Sequence, residues 1–467
     1  MVARRTSPRA PARTRRGGRR NRAGGGTGIR VGRGSAHARR AEIAREPRGH
    51  LAGRACGQDS SHRQCPSRYG GFRPQVSRRT LLVAFSVAHF AHHVTNSLFS
   101  ALVPFIRETF AMSNTQIGFA VTAYTFASGF SNAPLGLLAD RLGARRVIVG
   151  GLVLIALTSA AIGLSGSYLW LLLGLLVMGI ASGSYHAPAS ALIAETFPFA
   201  RRGVALGTHT TAGHLAFFAA PLVAGALAVA GTWRLPYVLF ALAPLLCAAL
   251  LLRVAPAGER SREPHEWLAT FADIGRVARS IGSLVSISIV GQVLISSSLA
   301  FLTLYLVDAR GVSPAVAAAL YGVPQLAGLF AAPTSGMLSD RFGRPAVLLA
   351  ALVASAPAVW LLITLPIEFV VIPLLLIGAC LSFRATATEV LIIDSTPATR
   401  RSTVLGTYYL VNQPVGGIAA PIFGAIADAA GIGTAFAWLA AAFAILAVLA
   451  LGAVATGGAR TRAMSSA

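Results

Sequence analysis

The sequence is poor in charge and in cysteine. Only 12% of its 467 residues are charged, while 54% are hydrophobic; soluble domains average about 25% charged residues. Lysine is absent, so all 41 basic side chains are arginines. The four cysteines, Cys56, Cys65, Cys247 and Cys380, show neither metal-ligand spacing nor a disulfide framework. The composition therefore argues against a soluble domain and for lipid as the solvent.

Several catalytic and energy-coupling motifs are also missing. The chain has no phosphate-binding loop of the G-x-x-x-x-G-K-[ST] type, so we predict that ATP does not drive it. It has no H-E-x-x-H motif and no set of nucleophile, base and orienting group. The run H-x-x-H-H can bind metal in principle, but we predict no resident metal and no cofactor. We expect a protein that is not an enzyme.

Positive charge is concentrated at the N-terminus, where 21 of the 41 arginines precede Thr80. Residues 1–79 are rich in Arg, Gly, Ala and Pro without a sustained apolar period, which predicts a disordered tail. No apolar segment of signal-peptide type occurs in it. Alternatives are a start codon that lies further downstream, or a tail that binds nucleic acid or anionic lipid. We expect no nucleic-acid partner, because the charge is confined to this tail.

Twelve apolar stretches follow the tail, each close to the roughly 20 residues that cross a bilayer. The predicted spans are 80–106, 115–138, 147–164, 168–194, 203–229, 233–252, 281–307, 314–337, 346–365, 370–393, 402–427 and 434–455. They divide the chain into an N-terminal six-helix bundle (80–252), a polar linker (253–280), a C-terminal six-helix bundle (281–455) and a tail (456–467).

Arginine is distributed unevenly between alternate loops. With the N-terminus inside, the loops on the opposite side hold only Arg107, Arg234 and Arg310, and nearly all other arginines beyond the N-terminal tail lie in cytoplasmic segments. The positive-inside rule then predicts that both termini and the linker are cytoplasmic. The abundance of Arg, Ala and Gly suggests a bacterial source, so we expect a multi-pass protein of the bacterial plasma (inner) membrane.

Two loop motifs recur about 200 residues apart. The loop after the second span reads GLLADRLGARR (136–146), and the loop after the eighth reads GMLSDRFGRPA (336–346). The loop after the fourth span reads ETFPFARRGVALGT (195–208), and its counterpart reads DSTPATRRSTVLGT (394–407). Two gap-free matches in register indicate a duplicated six-helix unit.

The first of these motifs resembles the best-known signature of the major facilitator superfamily of secondary transporters, G-x-x-x-D-R-x-G-x-R-R. The second copy departs from it at Pro345, where a basic residue is usual. The resemblance covers residues 80–455 and implies an all-α membrane protein with twelve transmembrane helices in two pseudo-symmetric six-helix bundles. It also implies a cytoplasmic gate, formed by Gly136, Asp140, Arg141, Gly143, Arg145, Arg146, Gly336, Asp340, Arg341 and Gly343.

Within the superfamily the chain looks most like the bacterial fosmidomycin-resistance-type exporters. The likeness rests on AHFAHHVTNSL (88–98), on YHAPAS (185–190) and on RRGVALGTHTTAGH (201–214). It departs where the exporters have an acidic residue in the first span and this chain has His93. It departs again where Ala187 separates His186 from Pro188, so substrate identity is not carried over.

Polar and ionisable residues inside spans are costly and mark pathways. His89, His92, His93 and Asn96 recur at helical spacing and share one face of the first span. For any single histidine the alternative is a hydrogen bond between helices. As a set they predict a polar central cavity for substrate or protons, lined by His89, His93, Asn96, His186, His209, His214, Arg384, Glu389, Asn412 and Gln413.

Span ten holds the pair Arg384 and Glu389. The repeat offset aligns Arg384 with Tyr185, so we expect Tyr185, His186 and Arg384 at similar depths, facing a shared cavity. We predict that Arg384 orients substrate or a counter-charge and that Glu389 or His186 carries the coupled proton. The alternative is a fixed structural ion pair.

The leading hypothesis is a monomeric, proton-coupled exporter of small organic molecules that works by alternating access. One alternative is uptake of a small organic anion or nutrient, for which Arg384 is a counter-charge. An alternative of another class is a transporter-like membrane sensor.

Overall fold

The computed structural model describes residues 76–256, 283–394 and 401–465, and all regular structure in these ranges is helical. The predicted linker 253–280 and tail 1–79 therefore fall almost wholly outside the described residues. Helix is the expected result, because only a helix satisfies every backbone N–H and C=O within one apolar segment.

Nine helices make up the described N-terminal half, residues 76–256. They are α1 (Arg78–Asn96), α2 (Leu98–Phe110), α3 (Asn114–Leu142), α4 (Ala144–Gly163), α5 (Tyr168–Ser182), α6 (His186–Thr196), α7 (Phe199–Ala230), α8 (Arg234–Phe240) and α9 (Leu242–Val254).

Eight helices and one 3₁₀ turn make up the described C-terminal half, residues 283–465. They are α10 (Ser283–Ala300), α11 (Leu302–Asp308), α12 (Pro314–Tyr321), α13 (Val323–Phe342), α14 (Arg344–Thr364), the 3₁₀ turn (Ile367–Phe369), α15 (Val371–Asp394), α16 (Arg401–Ala430) and α17 (Ile432–Ser465). The last helix continues through much of the segment predicted as a tail.

Each predicted span coincides with one helix or with two consecutive helices separated by a short break. Eight described segments are long and apolar enough to cross a membrane, and a ninth is added if α10 and α11, bent by 49°, form one span. The remaining spans are more polar, as in α3, or lie partly outside the described side chains, as in α16. The count of twelve stays a prediction.

The break between α5 and α6 positions the start of α6 inside the N-terminal half. Pro188 has no N–H to donate to the carbonyl of Ser184, so a continuous helix loses a hydrogen bond there. The chain instead turns through residues 183–185. His186 thereby becomes the first residue of α6.

The repeated signature forms the same turn in both halves. Gly143, between α3 and α4, has φ 93°, and Gly343, between α13 and α14, has φ 89°. A residue with a side chain rarely adopts such angles, which explains why glycine stands at both positions. The matched turns support the duplication inferred from the sequence.

The two halves meet along three sets of helices. α3 packs along α16, α7 along α12 and α13, and α2 along α11 and α12. The Thr122 hydroxyl donates to the carbonyl of Gly417 over 2.7 Å, which ties α3 to α16. The two halves thus meet along a seam through the middle of the molecule.

Large apolar side chains remain exposed on many helices. They include Leu157, Leu246, Phe330 and Ile445, each more than 60% exposed. A water-soluble protein rarely exposes so much apolar surface, whereas hydrocarbon chains cover it without cost. The exposed belt is therefore the lipid-facing surface.

The cysteines make no disulfide in the described part of the chain. Cys247 and Cys380 are free and buried in separate halves. Cys56 and Cys65 lie outside the described residues.

Candidate functional site

Five histidines meet inside the N-terminal half and are called the histidine cluster. His89, His92 and His93 lie on one face of α1, His186 begins α6, and His209 lies on α7. The ring centroids of His89 and His209 are 4.2 Å apart, and those of His93 and His186 are 5.2 Å apart. The helical spacing predicted that the α1 members share a face, and the structure places His186 and His209, which the sequence analysis grouped with them, beside that face.

Gly213 allows α7 to approach the cluster. A Cβ atom at this position would lie 2.7 Å from Cε1 of His89 and 3.0 Å from Cδ2 of His93. Such contacts are too close for real side chains, and one methyl group would displace two rings. The glycine thus sets the distance between α1 and α7.

The hydrogen bonds of His89 fix the positions of its proton and of its lone pair. Its Nδ1 lies 2.8 Å from the carbonyl oxygen of His209 and must donate, because a carbonyl only accepts. In the neutral ring Nε2 then carries the lone pair. That lone pair faces Nε2 of His93 at 3.1 Å. The second nitrogen of His93, Nδ1, is buried without a hydrogen-bond partner.

His92 belongs to a separate polar network. Its Nε2 donates to the carbonyl of Ser182 over 3.3 Å and lies 3.1 Å from the Ser182 hydroxyl. Asn96 donates to the same hydroxyl over 3.2 Å, and Tyr124 contacts it at 3.3 Å. This network joins α1, α3 and α5, so His92 has a structural partner on each side.

Tyr185 is fully buried in the core of the N-terminal half. Its hydroxyl donates to the carbonyl of Phe85 over 2.7 Å, and its ring stacks on His89 with centroids 5.5 Å apart. Neighbouring helices enclose it, so it does not line a cavity shared with Arg384. The repeat alignment did not predict the direction in which this side chain points.

His214 lies at the seam between the halves. Its Nδ1 is 3.1 Å from Oε1 of Gln325 on α13, 111 positions further along the chain. Gly328, also on α13, leaves room for the ring, because a Cβ there would come within 3.3 Å of Nδ1. His214 is therefore a contact between α7 and α13.

Arg384 is buried on α15 and bonded to neutral groups. It donates to the carbonyl of Ser288 over 3.2 Å, to the Ser288 hydroxyl over 3.3 Å and to Oε1 of Gln292. It also bonds Tyr408 of α16. In the described part of the chain no ion pair joins it to Glu389, which is half-buried. The guanidinium charge is therefore solvated by neutral oxygens.

At one end of the molecule, called the closed end, charged contacts connect the halves. Arg107 of α2 forms an ion pair with Asp308 of α11, with one N–O distance of 2.7 Å. Asp428 of α16 accepts from the backbone N–H groups of Asn114 and Thr115 over 2.8 and 2.9 Å. These acids carry no local motif that links positions so far apart, and the sequence analysis missed them.

At the other end, called the gate end, the signature residues make contacts within their own halves. Asp140 is exposed in the last turn of α3, and Arg145 donates to the carbonyl of Ala255 over 3.0 Å. Asp340 forms an ion pair with Arg344 at 2.6 Å. Among the described residues, no hydrogen bond or ion pair joins the Asp140 turn to the C-terminal half.

Asn412 and Gln413, both predicted to line the pathway, lie on α16 among residues whose side chains fall outside the described part.

The described residues include one group of potential metal ligands: one ring nitrogen each of His89, His93 and His186, all within 4.8 Å of one another.

Comparison with protein families gives matches in both halves. The model of the Major Facilitator Superfamily matches residues 85–285 and again residues 283–463.

Curated relatives are similar over most of the chain. Multidrug resistance protein MdtG of Enterobacter lignolyticus (strain SCF1) is 27% identical over 362 residues, which are 72% of this chain and 83% of that protein. The hexuronate transporter of Bacillus subtilis (strain 168) is 23% identical over 57% of this chain and 68% of its own length.

Solved structures share the fold. A variant of the nucleoside transporter NupG superposes with a TM-score of 0.70 at 15% identity and covers 80% of this chain and 99% of its own. A bacterial homologue of the human lysosomal transporter Spinster gives a TM-score of 0.64 at 18% identity, covering 81% of this chain and 95% of its own.

Proposed function

Because the chain belongs to the Major Facilitator Superfamily, we propose that this secondary transporter is a monomeric, proton-coupled exporter of small organic molecules. Its all-α membrane fold is the major facilitator fold, and carriers of this kind are not enzymes. The narrower likeness to the fosmidomycin-resistance-type exporters stays a prediction.

Among the described residues the two ends are paired unequally, and this observation carries the proposal. The closed end holds the halves together through Arg107–Asp308 and through Asp428, whereas the gate end leaves Asp140 exposed. A carrier that works by alternating access must exchange one set of end contacts for the other. In the opposite arrangement, in which the gate end is closed, we expect the exposed signature residues around Asp140 to contact the other half.

Export of several small molecules is supported by the relatives named multidrug resistance protein MdtG. Proton coupling is supported by Glu389 of α15, which interacts with Tyr408 of α16 and lies five residues after Arg384. A half-buried carboxylate can exchange a proton when its surroundings change as the halves move.

Uptake of a small organic anion is the second candidate. The observation that favours it is Arg384, a buried cation whose described partners are Ser288, Gln292 and Tyr408 rather than a carboxylate. Such an arginine can pair with a carboxylate or phosphate group of a substrate. The hexuronate transporter among the relatives is consistent with this class.

A resistance and accumulation screen tests the proposal. The chain is expressed in a strain lacking its own efflux pumps, and an unrelated membrane protein present at equal level in the membrane is the control. Export predicts lower accumulation of at least one compound with the native chain than with the control, and loss of this difference when the proton gradient is collapsed.

Raised accumulation would reverse the direction and favour uptake. Equal accumulation of every compound, with both proteins in the membrane, would contradict transport and favour a sensor.

A further inference from the structure

We infer that His89, His93 and His186 form a binding site for a divalent transition-metal ion of the zinc class, inside the N-terminal half. Neutral imidazole is the ligand that such ions take most readily in proteins. One ring nitrogen of each of the three side chains lies within 4.8 Å of the other two. This inference goes beyond the proposed function, because metal binding by these residues does not depend on whether the chain transports a substrate.

The spacing of the nitrogens suits tetrahedral coordination. Bonds of about 2.0–2.1 Å at tetrahedral angles place two ligand nitrogens about 3.3 Å apart. Nε2 of His89 and Nε2 of His93 are 3.1 Å apart. His186 lies beside both rings, with centroid distances of 5.4 and 5.2 Å. To bind the same ion, the His186 nitrogen, now within 4.8 Å of the other two, must move to about 3.3 Å from them.

The protonation of His89 also suits a ligand. Its Nδ1 donates to the carbonyl of His209 over 2.8 Å, which leaves the lone pair on Nε2, the atom that faces His93. Metal-bound histidines nearly always donate their other N–H to a carbonyl or carboxylate in this way, which holds the ring in place. The hydrogen bond that would orient His89 as a metal ligand is therefore already present.

Among the described contacts, one hydrogen bond joins the rings of His89 and His93, from Nε2 of His93 to Nε2 of His89. An ion between the rings replaces this hydrogen bond with coordination of all three imidazoles. Nδ1 of His93 then carries the ring proton and, as without the ion, has no partner among the described residues.

The site keeps a free coordination position. His93 and His186 are only half-buried, and the ligand group contains no carboxylate and no cysteine among the described residues. Three imidazoles satisfy three positions of a tetrahedral ion. The fourth is left for water or for an exchangeable ligand, as in zinc sites that are open to solvent.

Metal titration of the purified full chain tests the inference. The protein carries an affinity tag without histidine, is stripped with chelator, and is titrated with Zn²⁺ by calorimetry and with Co²⁺ by visible absorption. We expect one tight site per chain and the absorption bands of tetrahedral Co²⁺. Because losing even an outer partner costs about 10–100-fold in affinity, His186→Asn should weaken Zn²⁺ binding by about 100-fold or more.

Two controls separate the site from other histidines. His92→Asn removes a buried imidazole of the same helix that is bonded to Ser182, and it should bind one ion as tightly as the native chain. The triple variant His89→Asn, His93→Asn, His186→Asn retains the histidines outside the described residues and measures their background. Thermal unfolding in chelator shows whether each variant is folded; if the triple variant is not, His186→Asn alone supplies the comparison.

Two results would overturn the site. One is Zn²⁺ binding by folded His186→Asn that is as tight as binding by the native chain. The other is Zn²⁺ binding by the native chain that is no tighter than binding by the folded triple variant. X-ray absorption of the zinc-loaded protein gives a second reading, since three nitrogen ligands are expected. The experiment needs no transport, so its outcome is independent of the proposed function.

Discussion

Arg107 and Asp308, 201 positions apart in the chain, form a two-armed ion pair that joins α2 to α11 at the closed end. Their side chains remain 24% and 28% exposed. An exposed pair of this kind contributes about 0–1 kcal/mol, so it biases a conformational equilibrium without locking it. That magnitude suits a contact that must break in each transport cycle.

Asp308→Asn should open the closed end in a larger fraction of molecules, by up to about fivefold, because the lost pair is worth at most about 1 kcal/mol. Spin labels at Leu164→Cys and Ser313→Cys, in a background without the four native cysteines, report the distance between the halves. The exchanged pair Arg107→Asp with Asp308→Arg is expected to recover much of the native distribution. An unchanged distribution in Asp308→Asn would show that the pair has no role in closure.

Asp428→Ala should shift the same equilibrium further. The Asp428 carboxylate accepts from two N–H groups and from the Thr115 hydroxyl at the start of α3, so it caps a helix of the other half. A cap is worth about 0.5–2 kcal/mol, with a further contribution from the helix dipole. We expect about a tenfold change by the same distance measurement. Glu368→Gln, an exposed carboxylate of the 3₁₀ turn, should change nothing.

Asp140→Asn should impair transport while leaving the protein folded in the membrane. Asp140 is exposed in this arrangement, so its substitution removes no contact that stabilises the closed end. Its effect is expected in the opposite arrangement, where the gate end is closed. Thermal stability should stay within about 0.5 kcal/mol of native, and turnover should fall several-fold. Native turnover in the variant would reduce the motif to a topology signal.

Reporter fusions test the orientation of the chain. The excess of arginine in one set of loops predicts that Gly258 and Ala467 both lie in the cytoplasm. A reporter active only in the periplasm should be silent at both positions and active when fused in the loop at Ser165. Activity at Gly258 or Ala467 would invert the proposed topology, and with it the identity of the two ends.

Glu389→Gln should leave substrate binding largely intact but remove the dependence of transport on the pH gradient. Glutamine has nearly the same shape and cannot exchange a proton. Tyr408, on α16, is a described group that interacts electrostatically with Glu389. Transport into vesicles with and without an imposed gradient measures the effect, with Glu368→Gln as the control. Undiminished gradient dependence would rule out Glu389 as the proton carrier.

Much of the architecture could be predicted from local sequence. Apolar length placed most helix ends to within about five residues, although the last helix runs ten residues past the predicted end, and the repeated signature gave two matching turns at Gly143 and Gly343. The spacing of His89, His92 and His93 predicted that they share a face of α1. These features depend on contacts between near neighbours in the chain, which the helical period determines.

The partners of those residues were decided by tertiary structure. The repeat alignment placed Tyr185 toward a shared cavity, but the structure buries it against Phe85, because depth along a helix does not determine rotation about its axis. The ion pair of Arg107 and the cap at Asn114 join residues more than 200 positions apart. The sequence by itself determined which segments enter the membrane and which faces are polar. Only the packing of one helix against another decided which polar groups meet. Lipid does not distinguish one apolar face of a helix from another, so side-chain contacts across the seam determine the rotation of each helix about its axis and its register.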